Sequence, residues 1–365
     1  MENQKHNYCI IMAGGVGVRF WPISTTERPK QFIDILGTGE TLIQMTYNRF
    51  RKIIPAENIF VVTNAQYMDL VREQLPELDE NQVLCEPARR NTAPCIAYAS
   101  HKIWQKDQEA NFVVAPSDHI IIHEENFLGV INDALRASGT NGDLITLGIK
   151  PNRPDTGYGY IQFRDELVDA RYPSIRKVKT FTEKPALEMA KSFLESGDFL
   201  WNSGIFVWRA TSIIKAFDLH LPEVSKVFQE GLDAYNTPAE EQFIREAYAV
   251  CTNISIDYGV MEKADNVLVF MADFGWSDLG TWGSLFEQLN KDKANNAIIG
   301  DNALLYDSSD CIVNLPHDKI AVIQKLDGYI VVEDNDMLLI CRKEDEQQIR
   351  LFVNDVKSSK GDKYV

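Results

Sequence analysis

The sequence lacks any excess of positive charge. Its 365 residues contain 37 Lys and Arg against 53 Asp and Glu, which gives a formal net charge of −16. A surface of this sign repels the phosphates of nucleic acids and the anionic face of a membrane. We therefore expect no nucleic-acid or membrane partner. An anionic ligand would need a local group of cations, aided by a metal ion.

Long apolar runs and paired cysteines are also missing. No run reaches the roughly 18 residues that a membrane-spanning helix needs, and the polar start MENQKHNY has no signal-peptide core. The six cysteines are scattered without a Cys-x-x-Cys pair, which favours reduced thiols over a disulfide framework. These absences predict a cytoplasmic protein.

The most informative stretch that is present covers residues 10–32. An apolar run at residues 8–12 predicts a buried strand. It ends in a turn of small residues, Ala13, Gly14, Gly15, Val16 and Gly17. Glycine lets the backbone turn sharply and approach a ligand closely. Because Arg19 and Lys30 follow in the same loop, the stretch suits an anion, most simply the phosphates of a nucleotide.

Two better-known phosphate loops do not fit this turn. A dinucleotide fingerprint would need a third glycine where Phe20 stands, and a P-loop would need a Gly-Lys-Ser/Thr ending. A purely structural strand-to-helix turn is the alternative. It would not require both Arg19 and Lys30, so we favour a binding loop.

Strands and helices alternate over the first 150 residues. Apolar runs at residues 59–63, 82–84, 112–115 and 144–149 read as further strands, with helical patterns between them. The alternation predicts an α/β fold with a Rossmann-like, mostly parallel sheet flanked by helices. In such sheets, ligands bind at the carboxyl ends of the strands. Residues 13–17, 86–92 and 116–119 and the segment after Ile149 follow such ends.

Two aspartates are candidate metal ligands. Asp118, beside Ser117, and Asp278 each follow a strand-like run. Mg²⁺ prefers a few carboxylates together with phosphate and water. Asp118 could equally be a turn residue, and Asp278 or Ser277 could cap the helix that follows. Spacing alone leaves both interpretations open.

The second half is more mixed. Glu183, Lys184 and Asn202 flank strands and could bind sugar hydroxyls and a phosphate, or could form an exposed ion pair and a turn. We read residues 201–204 as preceding a strand. Composition changes near residue 291, and short β-type runs then precede a charged helix at 343–356. This predicts a domain at 1–290 and a small β-rich domain at 291–365, without a clean hexapeptide period.

Eight segments, taken in order, resemble the motifs of the sugar-nucleotide pyrophosphorylases. They are MAGGVGVRFWPIS…RPKQF at 12–32, EPARRNTAP at 86–94, APSDH at 115–119, GYGYIQF at 157–163, FTEKP at 181–185, WNSGIFVW at 201–208, SIDYGVMEK at 255–263 and GWSDLGTW at 275–282. The amino-acid sequences of these segments are most similar to those of the bacterial members that form GDP-mannose. Each motif alone is weak, but the ordered set covers nearly the whole chain.

This resemblance implies a nucleotide-diphospho-sugar transferase fold with a small C-terminal β-helix-like domain, often used for subunit contact, and hence a homodimer. It implies Mg²⁺-dependent transfer of GMP from GTP to mannose 1-phosphate, giving GDP-mannose and pyrophosphate. Another sugar 1-phosphate or nucleoside triphosphate would use the same fold. A catalytically silent regulatory subunit that binds GDP-mannose would be expected to lose an activating cation or a metal aspartate. Some members continue into an isomerase domain, and we expect the short form here.

The resemblance also assigns roles to residues. It places nucleotide binding at Ala13, Gly14, Gly15, Gly17, Arg19, Lys30, Glu86, Asn91, Thr92 and Ser117, with guanine read by Glu86 or Asn91. It places catalysis at Arg19, Lys30, Asp118 and Asp278, with the two aspartates as metal ligands. It places the sugar phosphate at Gly159, Glu183, Lys184 and Asn202.

Overall fold

The computed structural model of the protein describes residues 5–365, which form two compact units. Within the described range, the first unit contains the chain up to Gly14, Thr46–Ser117 and Ile121–Trp276. The second contains Gly15–Met45, Asp118–Ile120 and Ser277–Val365. The second unit thus takes residues from three distant parts of the sequence. The division into domains at 1–290 and 291–365 stays a prediction.

The described residues contain seventeen strands and ten α-helices, besides short 3₁₀ and π-helical segments. The strands are β1 (Asn7–Met12), β2 (Ile59–Asn64), β3 (Val83–Glu86), β4 (Asn111–Pro116), β5 (Ile120–Ile121), β6 (Leu144–Ile149), β7 (Gly159–Leu167), β8 (Ile175–Glu183), β9 (Phe199–Arg209), β10 (Val267–Ala272), β11 (Trp276–Ser277), β12 (Ala297–Ile299), β13 (Ala303–Tyr306), β14 (Ile312–Asn314), β15 (Ala321–Gln324), β16 (Tyr329–Asp334) and β17 (Met337–Arg342). The helices are α1 (Leu42–Phe50), α2 (Met68–Gln74), α3 (Thr92–Lys106), α4 (Glu124–Asn141), α5 (Leu187–Ser196), α6 (Ala210–His220), α7 (Pro222–Gln229), α8 (Glu240–Val250), α9 (Trp282–Gln288) and α10 (Ile349–Lys360).

The first unit is built on a nine-stranded sheet with the order β3-β2-β1-β4-β9-β6-β10-β8-β7. The early strands pair in parallel, β3 with β2, β2 with β1, and β1 with β4. Strand β9 then lies antiparallel between β4 and β6. The α/β prediction is therefore confirmed, but the sheet is mixed rather than mostly parallel. Alternation stops after β6, and a later strand inserts into the middle of the sheet.

Strand β9 also corrects a local prediction. Residues 201–204 were expected to precede a strand, because Asn, Ser and Gly favour turns. They lie inside β9, and Gly204 has a φ of +69°. The register between β6 and β9 shifts between Thr146 and Gly148. An irregularity of this kind accommodates turn-type residues within a strand.

A large apolar core holds the first unit together. The middle of β1, Cys9, Ile10 and Ile11, is fully buried, as its apolar run predicts. Side chains of β1, β4 and β9 pack with those of α3, α6, α7 and α8 in one cluster. The core keeps the carboxyl ends of β1 and β4 in fixed register, with Met12 opposite Pro116.

The second unit contains short strands that pair in parallel. Strand β14 pairs with β12 and β16, while β13 pairs with β15. Ala303 is opposite Ala321 and Ile312 is opposite Ile330, so partners are 18 residues apart in both cases. The charged C-terminal segment is a 3₁₀ stretch, Lys343–Gln348, followed by α10. This unit has its own core, where the rings of Phe20 and Trp282 meet edge to face at 5.1 Å.

Across residues 5–365, no helix is both long enough and apolar enough to cross a membrane.

Candidate active site

A cavity of about 280 Å³ in the second unit brings together six of the predicted residues. They are Gly15, Gly17, Arg19, Lys30, Asp118 and Asp278, and they are joined by Val16, Phe20, His119, Leu279, Gly280 and Arg350. Three cations and two carboxylates therefore line one cavity beside the glycine turn. The arrangement can hold an anion at the cations and a divalent cation at the carboxylates.

Lys30 is the most tightly held of these cations. Its side chain is buried in the short 3₁₀ helix Lys30–Phe32, with only 8% exposed. Nζ lies 2.9 Å from Asp118 Oδ2 and donates to the carbonyl oxygens of Asp278 and Leu279, at 2.7 and 3.0 Å. Each hydrogen of the ammonium thus has an oxygen acceptor. Lys30 thereby ties Asp118 to the turn that carries Asp278.

Arg19 is anchored to the same turn. It belongs to the 3₁₀ helix Val18–Phe20, and its Nη1 donates to the carbonyl oxygen of Gly280 at 3.2 Å. A Cβ added to Gly280 would lie 3.0 Å from Nη1 of Arg19 and 2.9 Å from Oδ2 of Asp278. Contacts that short force a neighbour to move. Glycine at 280 therefore allows the guanidinium and the carboxylate to approach the turn together.

The turn itself has an unusual backbone. Leu279 is fully buried and has a φ of +46°, a region that non-glycine residues rarely adopt. Its N–H donates to Ser277 Oγ at 3.2 Å, and the Gly280 N–H donates to Asp278 Oδ1 at 3.0 Å. The left-handed conformation directs the Asp278 and Leu279 carbonyl oxygens to one ammonium.

The helix-capping alternative for Asp278 and Ser277 is wrong. Thr281 is the N-cap of α9, and its side chain accepts from the Ser284 N–H while Ser284 Oγ accepts from the Thr281 N–H. This reciprocal pair gives hydrogen-bond acceptors to two N–H groups at the start of the helix, so neither Ser277 nor Asp278 is needed as a cap. The Asp278 carboxylate lines the cavity instead.

Asp118 has an ionised carboxylate at neutral pH. Burial would raise the pKa of this carboxyl, but the charges of Lys30 and His119 and the hydrogen bond from Lys30 outweigh it, so the pKa lies below its usual value. Among residues 5–365, no cluster of three or more His, Cys, Asp and Glu side chains suits a metal. Asp118 and Asp278 offer carboxylate oxygens only, a hard donor set that fits Mg²⁺ completed by phosphate and water.

Gly17 and Gly15 of the glycine turn have different surroundings. A Cβ at Gly17 would lie 3.0 Å from Cβ of Lys30, so this position packs against the lysine. At Gly15 a Cβ would meet no atom within 4 Å, although Gln31 Nε2 donates to the Gly15 carbonyl oxygen at 2.9 Å. Gly15 therefore leaves open space at the cavity wall, where a ligand can contact bare backbone.

Arg350 was missed by the sequence analysis. It is exposed, lies in the first turn of α10 and lines the cavity. A single arginine in a charged C-terminal helix gives no signal in the sequence, and it is far from Lys30 along the chain.

In the first unit, Gly14 lies against the carboxylate of Glu86. A Cβ at Gly14 would lie 3.2 Å from Glu86 Oε2. Two hydrogen bonds attach Ala13 to β2. The Ala13 N–H donates to the Val62 carbonyl oxygen, and Thr63 Oγ1 donates to the Ala13 carbonyl oxygen. Glu86 ends β3, is 6% exposed and accepts from Tyr248 Oη at 2.9 Å.

The Glu86 carboxyl titrates near neutrality. Burial raises its pKa to about 7, against the opposing effects of the Tyr248 hydrogen bond and the charge of Arg89. A carboxylate beside a backbone turn can accept from the N1–H and N2–H₂ donors of guanine when ionised.

Asn91, Thr92 and Ser117 have local structural roles. Asn91 has a φ of +67° and is the N-cap of α3, where its side chain accepts from the Thr92 N–H. Thr92 Oγ1 accepts from the Ile256 N–H at 2.9 Å. Ser117 is buried, and its N–H donates to the Met12 carbonyl oxygen at 3.0 Å. Their predicted contacts with the nucleotide stay predictions.

A second group of predicted residues meets elsewhere in the first unit. Gly159 at the start of β7 is opposite Glu183 at the end of β8. A Cβ at Gly159 would lie 2.4 Å from Glu183 Oε2 and 3.5 Å from Asn202 Cβ. The absence of a side chain at 159 thus creates the space that the Glu183 carboxylate occupies.

Asn202 leads to a residue that the sequence analysis did not single out. Its Nδ2 donates to Asp257 Oδ1 at 2.7 Å, and its Oδ1 accepts from Thr146 Oγ1 at 3.1 Å. Burial, and then the charge of Glu183, raise the pKa of Asp257 to about 6. Asp257 lies in the SIDYGVMEK motif, which was the available signal. The group offers several oxygens suited to sugar hydroxyls.

The Lys184 side chain is largely exposed to solvent. The exposed fraction is 61%, the φ of the residue is +46° and its Nζ lies 2.7 Å from Glu183 Oε1. This is the ion pair considered from the sequence. The predicted contact of Lys184 with the sugar phosphate stays a prediction.

Comparison with known proteins identifies the family of the chain. The model of the family described as "Nucleotidyl transferase" matches residues 8–295. The mannose-1-phosphate guanylyltransferase of Salmonella montevideo is 37% identical over 355 residues, which cover 95% of this chain and 73% of that protein. One from Escherichia coli is 34% identical over 364 residues, with coverage of 96% and 75%.

A solved structure is also similar over nearly the whole length of the chain. It is a Thermus thermophilus protein described as a mannose-1-phosphate geranyltransferase, with a TM-score of 0.85 and 29% identity. The similarity covers 96% of this chain and 99% of that one. The resemblance inferred from the motifs is therefore confirmed. The chain belongs to the nucleotidyl transferase family, and to the group within it that contains the mannose-1-phosphate guanylyltransferases.

Proposed function

We propose that the protein transfers GMP from GTP to α-D-mannose 1-phosphate, giving GDP-mannose and pyrophosphate. The observation that carries this proposal is the cavity of the second unit, where Arg19, Lys30 and Arg350 accompany Asp118 and Asp278 beside a glycine turn. The names of the relatives in Salmonella montevideo and Escherichia coli support the choice of nucleotide and sugar.

One phosphorus–oxygen bond forms and one breaks in this reaction. A phosphate oxygen of the sugar phosphate forms a bond to the α-phosphorus of GTP, while the bond from that phosphorus to the departing pyrophosphate breaks. The attacking oxygen is already anionic, so no general base is required. The barrier comes from repulsion between two highly charged phosphates, and catalysis depends on counter-charge and alignment.

The residues of the second unit supply this counter-charge. Arg19 presents a guanidinium, of which one N–H is engaged by the Gly280 carbonyl oxygen. Lys30 keeps Asp118 and the Asp278 turn in place. A direct contact between Lys30 and phosphate stays a prediction, because the described oxygens accept all three ammonium hydrogens.

Asp118 and Asp278 would hold Mg²⁺. The two carboxylates balance most of the positive charge of Arg19, Lys30 and Arg350, so these five residues of the lining have a net charge of only about +1. Bound Mg²⁺ would neutralise phosphate oxygens as charge develops. The two aspartates therefore fit the metal through their charge and their oxygen donors.

The first unit would supply the base and sugar contacts. Glu86 beside Gly14 is the proposed guanine acceptor. Glu183, Asn202 and Gly159, together with Asp257, are the proposed sugar group, with acceptors and an amide for hydroxyls.

We also propose that residues 291–365, within the second unit, form a β-helix-like stack that mediates a homodimer. The parallel pairs 18 residues apart support the stack. Exposed apolar side chains on neighbouring strands, Leu304 on β13 opposite Val322 on β15, support self-association. A cytoplasmic location stays a prediction.

One assay tests the proposed reaction. Pyrophosphate release is measured with Mg²⁺, four nucleoside triphosphates and several sugar 1-phosphates. We expect the highest kcat/KM with GTP and mannose 1-phosphate, and loss of activity with EDTA. A preference for another pair would reassign the substrates, and no turnover with any pair would support a silent binding protein.

The metal assignment has its own test. Asp278→Asn is expected to reduce kcat by about 100-fold or more, because it removes a negatively charged metal ligand. Asp273→Asn, at an exposed aspartate shortly before it in the chain, is the matched control. Near-native turnover of Asp278→Asn with Mg²⁺ would show that the assignment is wrong.

A further inference from the structure

We propose that Arg350 is a phosphate-binding residue of the nucleotide site. This inference rests on the proposed function and assigns a contact to α10, outside the motifs that define the family resemblance. The cations of the cavity are Arg19, Lys30 and Arg350, and they differ in how many of their hydrogens are available to a ligand.

Lys30 has the fewest available hydrogens. Its ammonium has three N–H donors, and three oxygens lie within 3.0 Å of Nζ. A phosphate could bind Lys30 only by displacing Asp118 or a carbonyl oxygen of the Asp278–Leu279 turn. In the described arrangement, Lys30 is a positioning residue, and its charge is paired with that of Asp118.

Arg19 is partly engaged. One of its guanidinium nitrogens donates to the Gly280 carbonyl oxygen at 3.2 Å. A guanidinium has five N–H donors, so Arg19 can still contact a ligand. A triphosphate carries more negative charge than one arginine and one Mg²⁺ balance, so a second cation with unengaged donors would add counter-charge at the cavity.

Arg350 meets that requirement. It lines the cavity, and within residues 5–365 it has neither an ion-pair partner nor a side-chain hydrogen bond. Most other arginines of this acidic protein lie beside carboxylates, as Arg342 does beside Glu344. A planar guanidinium can bind two phosphate oxygens at once. An unpaired arginine at an anion-binding cavity therefore points to a phosphate contact.

The test compares Arg350→Ala, Arg350→Lys and a control, Lys360→Ala, by titration with GTP and with guanosine in the presence of Mg²⁺. Lys360 is an exposed cation of the same helix that does not line the cavity. Arg350→Ala is expected to weaken GTP binding about 10-fold or more and to leave guanosine binding unchanged, since a charge-assisted hydrogen bond to phosphate is lost. Arg350→Lys should recover part of the loss, and Lys360→Ala should match the unsubstituted protein.

Two results would overturn the inference. One is GTP affinity within about two-fold of the unsubstituted protein in Arg350→Ala at low salt. The other is an equal loss for GTP and guanosine, which would indicate a structural effect. If the unsubstituted protein forms no GDP-mannose, the proposed function fails. In that case binding of inorganic triphosphate to the same variants tests Arg350 independently.

Discussion

The ammonium of Lys30 lies 2.9 Å from the carboxylate of Asp118. The same ammonium donates to the carbonyl oxygens of Asp278 and Leu279, so it cannot bind another partner without releasing Asp118 or the Asp278 turn. Lys30→Met should therefore lower kcat by about 100-fold or more. It should also raise the Mg²⁺ concentration needed for half-maximal activity, since both proposed ligands lose their anchor.

Steady-state kinetics over a range of Mg²⁺ concentrations check this prediction. Lys293→Met, at an exposed lysine of the same unit outside the cavity lining, is the control. An unchanged kcat with only a modest rise in the KM for GTP would reduce Lys30 to a role in ground-state binding.

Glu86 makes stability depend on pH. Its folded pKa of about 7 lies above the ordinary 4.5, so the folded protein binds more protons than the unfolded chain between these values. Stability should therefore fall as the pH rises from about 4.5 to 7, by roughly 3 kcal/mol at most. Glu86→Gln should remove this penalty and raise the melting temperature relative to the unsubstituted protein at about pH 8.5, with little difference at about pH 4.5.

Thermal unfolding at several pH values measures this effect. Glu73→Gln replaces an exposed glutamate and should shift the melting temperature equally at both pH values. If Glu86→Gln behaves like this control, burial does not hold the Glu86 carboxyl in its neutral form.

Gly159 tests the proposed sugar group. Alanine there would place Cβ 2.4 Å from Glu183 Oε2, and the carboxylate would have to move. Gly159→Ala should raise the KM for mannose 1-phosphate about 10-fold or more, while the KM for GTP changes little. Gly129→Ala is the matched control, because a Cβ in the middle of α4 meets no atom within 4 Å.

Initial-rate measurements with each substrate varied in turn distinguish the outcomes. Equal KM values for Gly159→Ala and Gly129→Ala would remove Glu183 from the sugar site.

The exposed apolar strands of the second unit predict the oligomeric state. Val322 is 67% exposed on β15, and Val322→Glu would put a charge into the proposed dimer contact. We expect light scattering to show a dimer for the unsubstituted protein and a monomer for this variant. Leu219→Glu, at a leucine 66% exposed on α6, should leave the dimer intact, and dimers for both variants would place the contact elsewhere.

Local patterns were enough to predict the elements of the first half. The apolar runs before Ala13 and before Ser117 are the strands β1 and β4, and glycines and acids follow them as expected. Pairing between distant strands was not predictable in the same way. Nothing local to β9 indicates that it lies between β4 and β6, because that position depends on packing over the whole sheet.

In the candidate site, too, local sequence patterns predicted some residues, while others are brought together only by the fold. Arg19 and Lys30 were predicted because two cations follow a glycine turn, whereas Asp278 was assigned by the resemblance, since its spacing alone left helix capping open. Arg350 gave no such signal, since it is a single charged residue in a charged helix, and Asp257 was marked only by its place in the SIDYGVMEK motif. Only the fold brings Asp257 to Asn202, and only the fold brings Arg350 to the cavity.

The turn at residues 278–280 has a consequence for mutational tolerance. Lys30 and Arg19 are held by the carbonyl oxygens of Asp278, Leu279 and Gly280, and no side-chain substitution removes a carbonyl oxygen. Apolar replacements of Leu279 that keep its positive φ should therefore preserve both anchors. A change of backbone conformation would instead release both cations at once, so at position 279 the backbone conformation is more constrained than the identity of the side chain.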